Sequence, residues 1–219
     1  MAVVSAFLVP GSPLPYVRRD NKPWGKLAAG MEAAGEALVA SKPQVILLYS
    51  TQWIAVLDQL WQTRPRVAGL HVDENWHEYG ELPYDLKIDA QLAKACVTAT
   101  SKIGVKSKAV NYDNFPIDTG TIVAANFLNP GGKIPMVLAS NNLYHDFALT
   151  QKLGRVAAAQ ASKQRKRVAV VGVGNFSGAF FRGGLDIAKD KIAAPKYDRW
   201  NRKILNLMTS GDVKGLYAA

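Results

Sequence analysis

Two short stretches constrain the fold most, Val45-Ile-Leu-Leu-Tyr-Ser50 and Val168-Ala-Val-Val-Gly-Val173, because each is apolar almost without interruption. A strand with one face in water alternates apolar and polar residues. One that is apolar throughout is covered on both faces, as in a parallel sheet lying between layers of helices. The neighbouring segments fit that arrangement. Val3 to Val9 reads as a strand, Pro10 to Pro23 as a Pro/Gly-rich loop, and Trp24 to Ser41 as an Ala-rich helix. Further on come a helix at Asp89–Ala99, a strand at Gly104–Asn111, a helix at Thr119–Leu128 and a strand at Ile134–Ser140. Helices at Asp146–Lys163 and Lys196–Thr209 flank the Val168–Val173 strand. This alternation predicts an α/β domain with a mostly parallel central sheet and helices on both faces.

The 219 residues show no linker and no repeat, so 1–219 reads as one domain. Gly211 to Ala219 reads as the start of a helix cut short, with a C-terminal extension expected beyond it. The stretch from Trp53 to Asp85 has no clear period and reads as a long irregular loop, a type of segment that usually carries function. Its large side chains, Trp53, Trp61, Trp76, Tyr79 and Tyr84, suit core packing and a protein interface equally.

A formal net charge of +10 raises the question of an acidic partner. The one tight basic run, Lys163-Gln-Arg-Lys-Arg167, closes a helix, where cations complement the helix dipole. No zinc-finger spacing or RNA-binding aromatic motif accompanies it, which argues against nucleic acid. An acidic protein would use the same charge. Cys96, the single cysteine, lies in a helical pattern and reads as a buried thiol, and disulfides within the chain are excluded. No signal peptide and no membrane-spanning stretch is evident, so a cytoplasmic protein is expected.

Val168-Ala-Val-Val-Gly172-Val-Gly174-Asn-Phe-Ser-Gly178 imitates a dinucleotide-binding turn. It comes late in the chain, lacks the G-x-G-x-x-G spacing and is not followed by a clean helix, so nucleotide binding is not supported. Taken with five other segments, however, it points elsewhere. These are Val9-Pro-Gly-Ser-Pro-Leu-Pro15, Tyr49-Ser-Thr-Gln-Trp53, His71-Val-Asp-Glu-Asn-Trp76, Asn111 to Thr121 and Ser140-Asn-Asn-Leu-Tyr-His145. Any one is weak, but the six in order resemble the class III extradiol dioxygenases, ring-cleaving iron enzymes of the protocatechuate 4,5-dioxygenase type. The likeness runs along nearly all of the chain.

The resemblance implies a site of two His and one Glu holding Fe(II), with positions left open for substrate and O₂, and a further His acting as acid or base. It places the first His at Gly11, the second at Gln52 and the acid/base at Gly178, and it puts the Glu beyond Ala219. On this reading the ligand positions are degenerate and the chain binds no metal or cofactor of its own. The implied partner is a homologous catalytic β subunit carrying Fe(II), in an α2β2 heterotetramer that opens the ring of 2-aminophenol or a relative.

The remaining polar residues also suit plainer roles. His145 and Tyr144, with Asp118, suit a vestigial pocket, but His145 beside Asp146 also suits a helix entry and Asp118 a helix N-cap. His71 and His77 flank Asp73 and Glu74, with Glu78 adjacent, in no recognised metal-ligand spacing. Two other readings stay open: a stand-alone scaffold or binding protein reusing the fold, and a metal-free enzyme built on His145.

Overall fold

The computed structural model describes residues 3–176 and 195–219. The chain divides into two compact units, Met1–Gly174 and Asn175–Ala219. In the first, strands β1 (Val3–Val9), β2 (Val45–Ala55), β3 (Gln59–Gln62), β6 (Ser107–Val110), β7 (Met136–Asn142) and β8 (Val168–Val173) form one sheet in the order β1-β8-β2-β7-β3-β6. The first four in that order run parallel; β3 meets β7 antiparallel and pairs β6 in parallel. Strands β4 (Arg66–His71) and β5 (Leu82–Lys87) make a separate antiparallel hairpin.

The apolar runs behave as expected of covered strands. Ile46 and Leu48 pack into one core with α2 (Lys22–Ala40) and α4 (Thr119–Leu128), whereas Val45 and Leu47 face a second core. That second core is built on α3 (Ala90–Lys102) and α5 (Phe147–Lys163). A short helix, α1 (Leu14–Val17), interrupts the loop expected from Pro10 to Pro23, its start favoured by Pro15, whose missing N–H costs nothing in a first turn.

The expectation of an irregular stretch from Trp53 to Asp85 is wrong. It contains the end of β2, all of β3 and β4, and most of β5. β3 hides from pattern reading because its buried residues include Gln59 and Gln62, which lie at 1% and 0% exposure. Gln59 earns its burial by donating to Ser140 O at 2.9 Å. Trp53 and Trp61 are core residues, and Tyr84 packs against the core, while Trp76 and Tyr79 stack with ring centres 6.3 Å apart. Cys96 is fully buried, and burial pushes its thiol up to about 12. In the basic run, Lys166 pairs with Asp89 and Arg167 binds the Lys42 carbonyl, so these cations tie elements together.

In the second unit, α6 (Pro195–Thr209) and α7 (Val213–Ala218) stand where helices were expected. Trp200 Nε1 donates to Phe176 O at 2.7 Å, and Asp212 caps α7 through Gly215 N at 2.8 Å. No described helix is long and apolar enough to cross a membrane.

Candidate functional site

The site grows from a break in β2. Its ladder with β8 ends at Ser50↔Val173, and its ladder with β7 jumps from Ser50↔Ser140 to Ile54↔Asn141. Thr51, Gln52 and Trp53 therefore have no ladder partner on β7. Irregularities of this kind re-aim side chains at the ends of strands, often beside functional sites. Trp53 turns into the core against Phe115, ring centres 6.1 Å apart. Gln52 goes the other way: its Nε2 donates to Gly11 O, 3.1 Å off in the loop after β1.

The first turn of α4 meets the same place. Asp118 is its N-cap, accepting from Thr121 N at 2.9 Å, from Thr121 Oγ1 at 2.6 Å and from Ser50 Oγ at 2.6 Å. One residue on, Thr119 Oγ1 donates to Asp73 Oδ2 at 2.9 Å and lies 2.8 Å from His71 Nε2. A hydroxyl has one proton, so His71 Nε2 carries the hydrogen of that second contact. Asp73 Oδ1 accepts from Asn75 N and Trp76 N at 2.9 and 3.2 Å. The loop of the β4–β5 hairpin is thereby pinned to α4.

The glycines at the site are closely approached by neighbouring side chains. Neither Gly11 nor Gly120 has a positive φ. A Cβ on Gly11 would lie 2.5 Å from Gln52 Nε2 and 3.1 Å from Val173 Cγ1. One on Gly120 would lie 2.9 Å from Gln52 Oε1 and 2.8 Å from Val173 Cγ1. The Gln52 carboxamide thus sits between the loop after β1 and the start of α4. Gly174 likewise approaches Thr51, where a Cβ would meet Thr51 Oγ1 at 3.2 Å, and its N–H donates to Val9 O at 3.1 Å. Gly174 thus serves the close packing of strand ends.

Of the residues singled out from sequence, Gly11, Gln52 and Asp118 gather here, and Gly178 lies outside the described residues. Neither His145 nor Tyr144 takes part in this network. Both follow β7, with Tyr144 81% exposed and the His145 N–H donating to Asn142 O at 3.1 Å. Burial lowers the His145 pKa, opposed by the charge of Asp146, and Asp146 caps α5 by accepting from Leu149 N. His71, Asp73 and Glu74 bring ligand-type atoms within 4.8 Å of one another, whereas His77 turns to the Glu74 carbonyl. Sequence reading missed Ser50, Thr119, Gly120 and Val173. The Asp118-Thr-Gly-Thr121 helix start was the available signal for Thr119 and Gly120.

A family described as the catalytic LigB subunit of aromatic ring-opening dioxygenase matches residues 6–218. The chain belongs to the LigB family. The 2-aminophenol 1,6-dioxygenase alpha subunit of Pseudomonas sp is 51% identical over 220 residues, covering all of this chain and 81% of that protein. The beta subunit of the Pseudomonas sp enzyme is 24% identical over 234 residues, covering 98% of this chain and 77% of that protein. The 3,4-dihydroxyphenylacetate 2,3-dioxygenase of Escherichia coli is 23% identical over 137 residues, 62% of this chain and 50% of that one. The crystal structure of an uncharacterized protein from Escherichia coli K12 matches with a TM-score of 0.50 at 17% identity, over 67% of this chain and 52% of that one, which shows the shared fold alone.

The resemblance implies two iron-binding imidazoles at the positions that Gly11 and Gln52 hold. Gly11 offers no side-chain donor atom. The Gln52 amide is a poor ligand for Fe(II) beside imidazole, and its nitrogen already donates to the Gly11 carbonyl. The space a second ligand would enter from position 11 is taken by that amide. The residues at these two positions do not fit an iron site.

Proposed function

We propose that this chain is the non-catalytic subunit of a two-subunit extradiol dioxygenase that opens the ring of 2-aminophenol or a related aminophenol or catechol. A homologous β-type subunit carries Fe(II) and performs O₂ insertion beside the hydroxyl- or amino-bearing carbon. The chain described here contributes assembly and stability, in an α2β2 heterotetramer in the cytoplasm. The observation that carries this reading is the pair Gly11 and Gln52, locked amide to carbonyl where the family's chemistry needs two imidazoles. The 51% identity to an alpha subunit, against 24% to the beta subunit, supports the assignment of role.

The test is co-expression with a β-type homologue that retains both His. The purified complex should contain iron in proportion to the partner alone, show equal numbers of the two chains by native mass spectrometry, and yield a ring-opened semialdehyde from 2-aminophenol. A lone chain that binds Fe(II) and cleaves aminophenol would sink the proposal.

The net charge of +10 favours a second reading, a scaffold for a different, acidic partner, because a small aromatic substrate has no use for such a charge. Capture of an acidic protein with no dioxygenase homology, and no binding to a β-type subunit, would select it.

A further inference from the structure

The geometry points to the Gln52 carboxamide as the replacement for a metal's cross-link: it joins the end of β2 to the loop after β1, fills the space between Gly11, Gly120 and Val173, and thereby favours glycine at 11 and, together with Val173, at 120. This rests on the metal-free reading above and goes further, since it says what holds the strand ends once ligands are gone. A metal centre ties its ligands' backbones together. With no imidazole at 11 or 52, the loop after β1 and the end of β2 would lose that tie at the carboxyl edge of the sheet. Here the tie is the hydrogen bond from Gln52 Nε2 to Gly11 O, 3.1 Å long.

The glycines carry the argument. Glycine is obligatory either because φ is positive or because a neighbour is too close. Gly11 and Gly120 have no positive φ, so closeness is the reason. At Gly11 the nearest intruder is the Gln52 amide at 2.5 Å, with Val173 Cγ1 at 3.1 Å, close enough that it must give by a few tenths of an ångström. At Gly120 the amide oxygen at 2.9 Å shares the role with Val173 Cγ1 at 2.8 Å. The two positions therefore differ in how they depend on Gln52. An alanine at 11 collides with a flexible side-chain end and expels it, breaking the tie. An alanine at 120 also strikes a stiff β-branched side chain.

A double-mutant cycle on the full chain tests this. Gly11→Ala should lower Tm by about 2–4 °C, the equivalent of one hydrogen bond in a chain this size. In a Gln52→Ala background the same exchange should cost clearly less, leaving only the 3.1 Å approach to Val173 Cγ1. Gly120→Ala should cost more than Gly11→Ala and keep much of its cost in that background. If Gly11→Ala yields no soluble chain, Gln52→Ala should restore solubility. Equal costs of Gly11→Ala in both backgrounds, or failure of that rescue, overturns the inference. Iron content and co-purifying partner are measured on the same preparations. A chain that brings its own iron overturns the metal-free reading, while an additive cycle in an iron-free chain overturns the clasp alone.

Discussion

Two groups of residues lie on either side of the first turn of α4, and they were treated differently by the same sequence. On one side are Gly11, Gln52 and Val173, around Gly120; on the other are His71 and Asp73, around Thr119. The first side has no imidazole and closes its space with an amide. The second keeps an imidazole and a carboxylate, yet spends them: His71 Nε2 donates to Thr119, and both Asp73 oxygens accept from Thr119, Asn75 and Trp76. Polar groups beside the Gly11–Gln52 pair are thus no measure of chemistry. What counts is which lone pairs remain uncommitted, and on the His71 side Nε2 and both Asp73 oxygens are already engaged.

The largest effect is expected where the two sides share a support. Asp118 caps α4 and also holds Ser50, so Asp118→Ala removes an N-cap and a charge-assisted bond together. The cap contributes about 0.5–2 kcal/mol and the Ser50 bond about 1.5–3 kcal/mol. Urea melts should show a loss near the sum, and hydrogen exchange should rise at both the Gln52 segment and the His71–Asp73 segment. Protection lost on one side only would mean that the two sides are not supported in common.

Thr119→Val comes next, and it separates the sides. It leaves Asp73 Oδ2 and the His71 Nε2–H without their partner, at a cost of about 1–3 kcal/mol. Proteolysis should accelerate within residues 72–81, between β4 and β5. The Gly11–Gln52 coupling should stay unchanged.

The fold was legible where chemistry is redundant along the chain. Val45 to Leu48 and Val168 to Val171 declare covered strands by composition alone, and Asp118 and Asp146 declare helix starts. β3 was not legible, because Gln59 and Gln62 are buried polar residues, and the partner of Gln59 is the distant Ser140, which no local pattern contains. The site was legible as an absence, through Gly11 and Gln52 standing where the resemblance implies histidine. That the absence is filled could not be read, since the contact of Gln52 with Gly120 joins residues far apart in sequence and depends on the break in β2.

Metal binding sharpens the comparison further. Added Co(II) should give no visible absorbance with the unaltered chain, despite the proximity of His71, Asp73 and Glu74. Gly11→His/Gln52→His together should create weak Co(II) binding, since side chains at 11 and 52 converge on one space. Either exchange alone should not: Gly11→His meets the amide, and Gln52→His supplies one imidazole. Co(II) binding lost on His71→Ala in the unaltered chain would show that the second side had kept ligand capacity after all.

The smallest effect belongs to His145, which lies in neither group. Burial lowers its folded pKa below the ordinary 6.5, with Asp146 opposing. The unfolded chain then holds more protons between the two values, so stability rises with pH through that window. It is fully present above about 6.5, the unfolded pKa, and is lost as pH falls below it. His145→Gln should flatten this slope in urea midpoints measured from pH 5 to 7 and leave ring-opening activity of the complex unchanged. Loss of activity with an intact complex would instead give His145 a part in the chemistry and revive the metal-free enzyme reading.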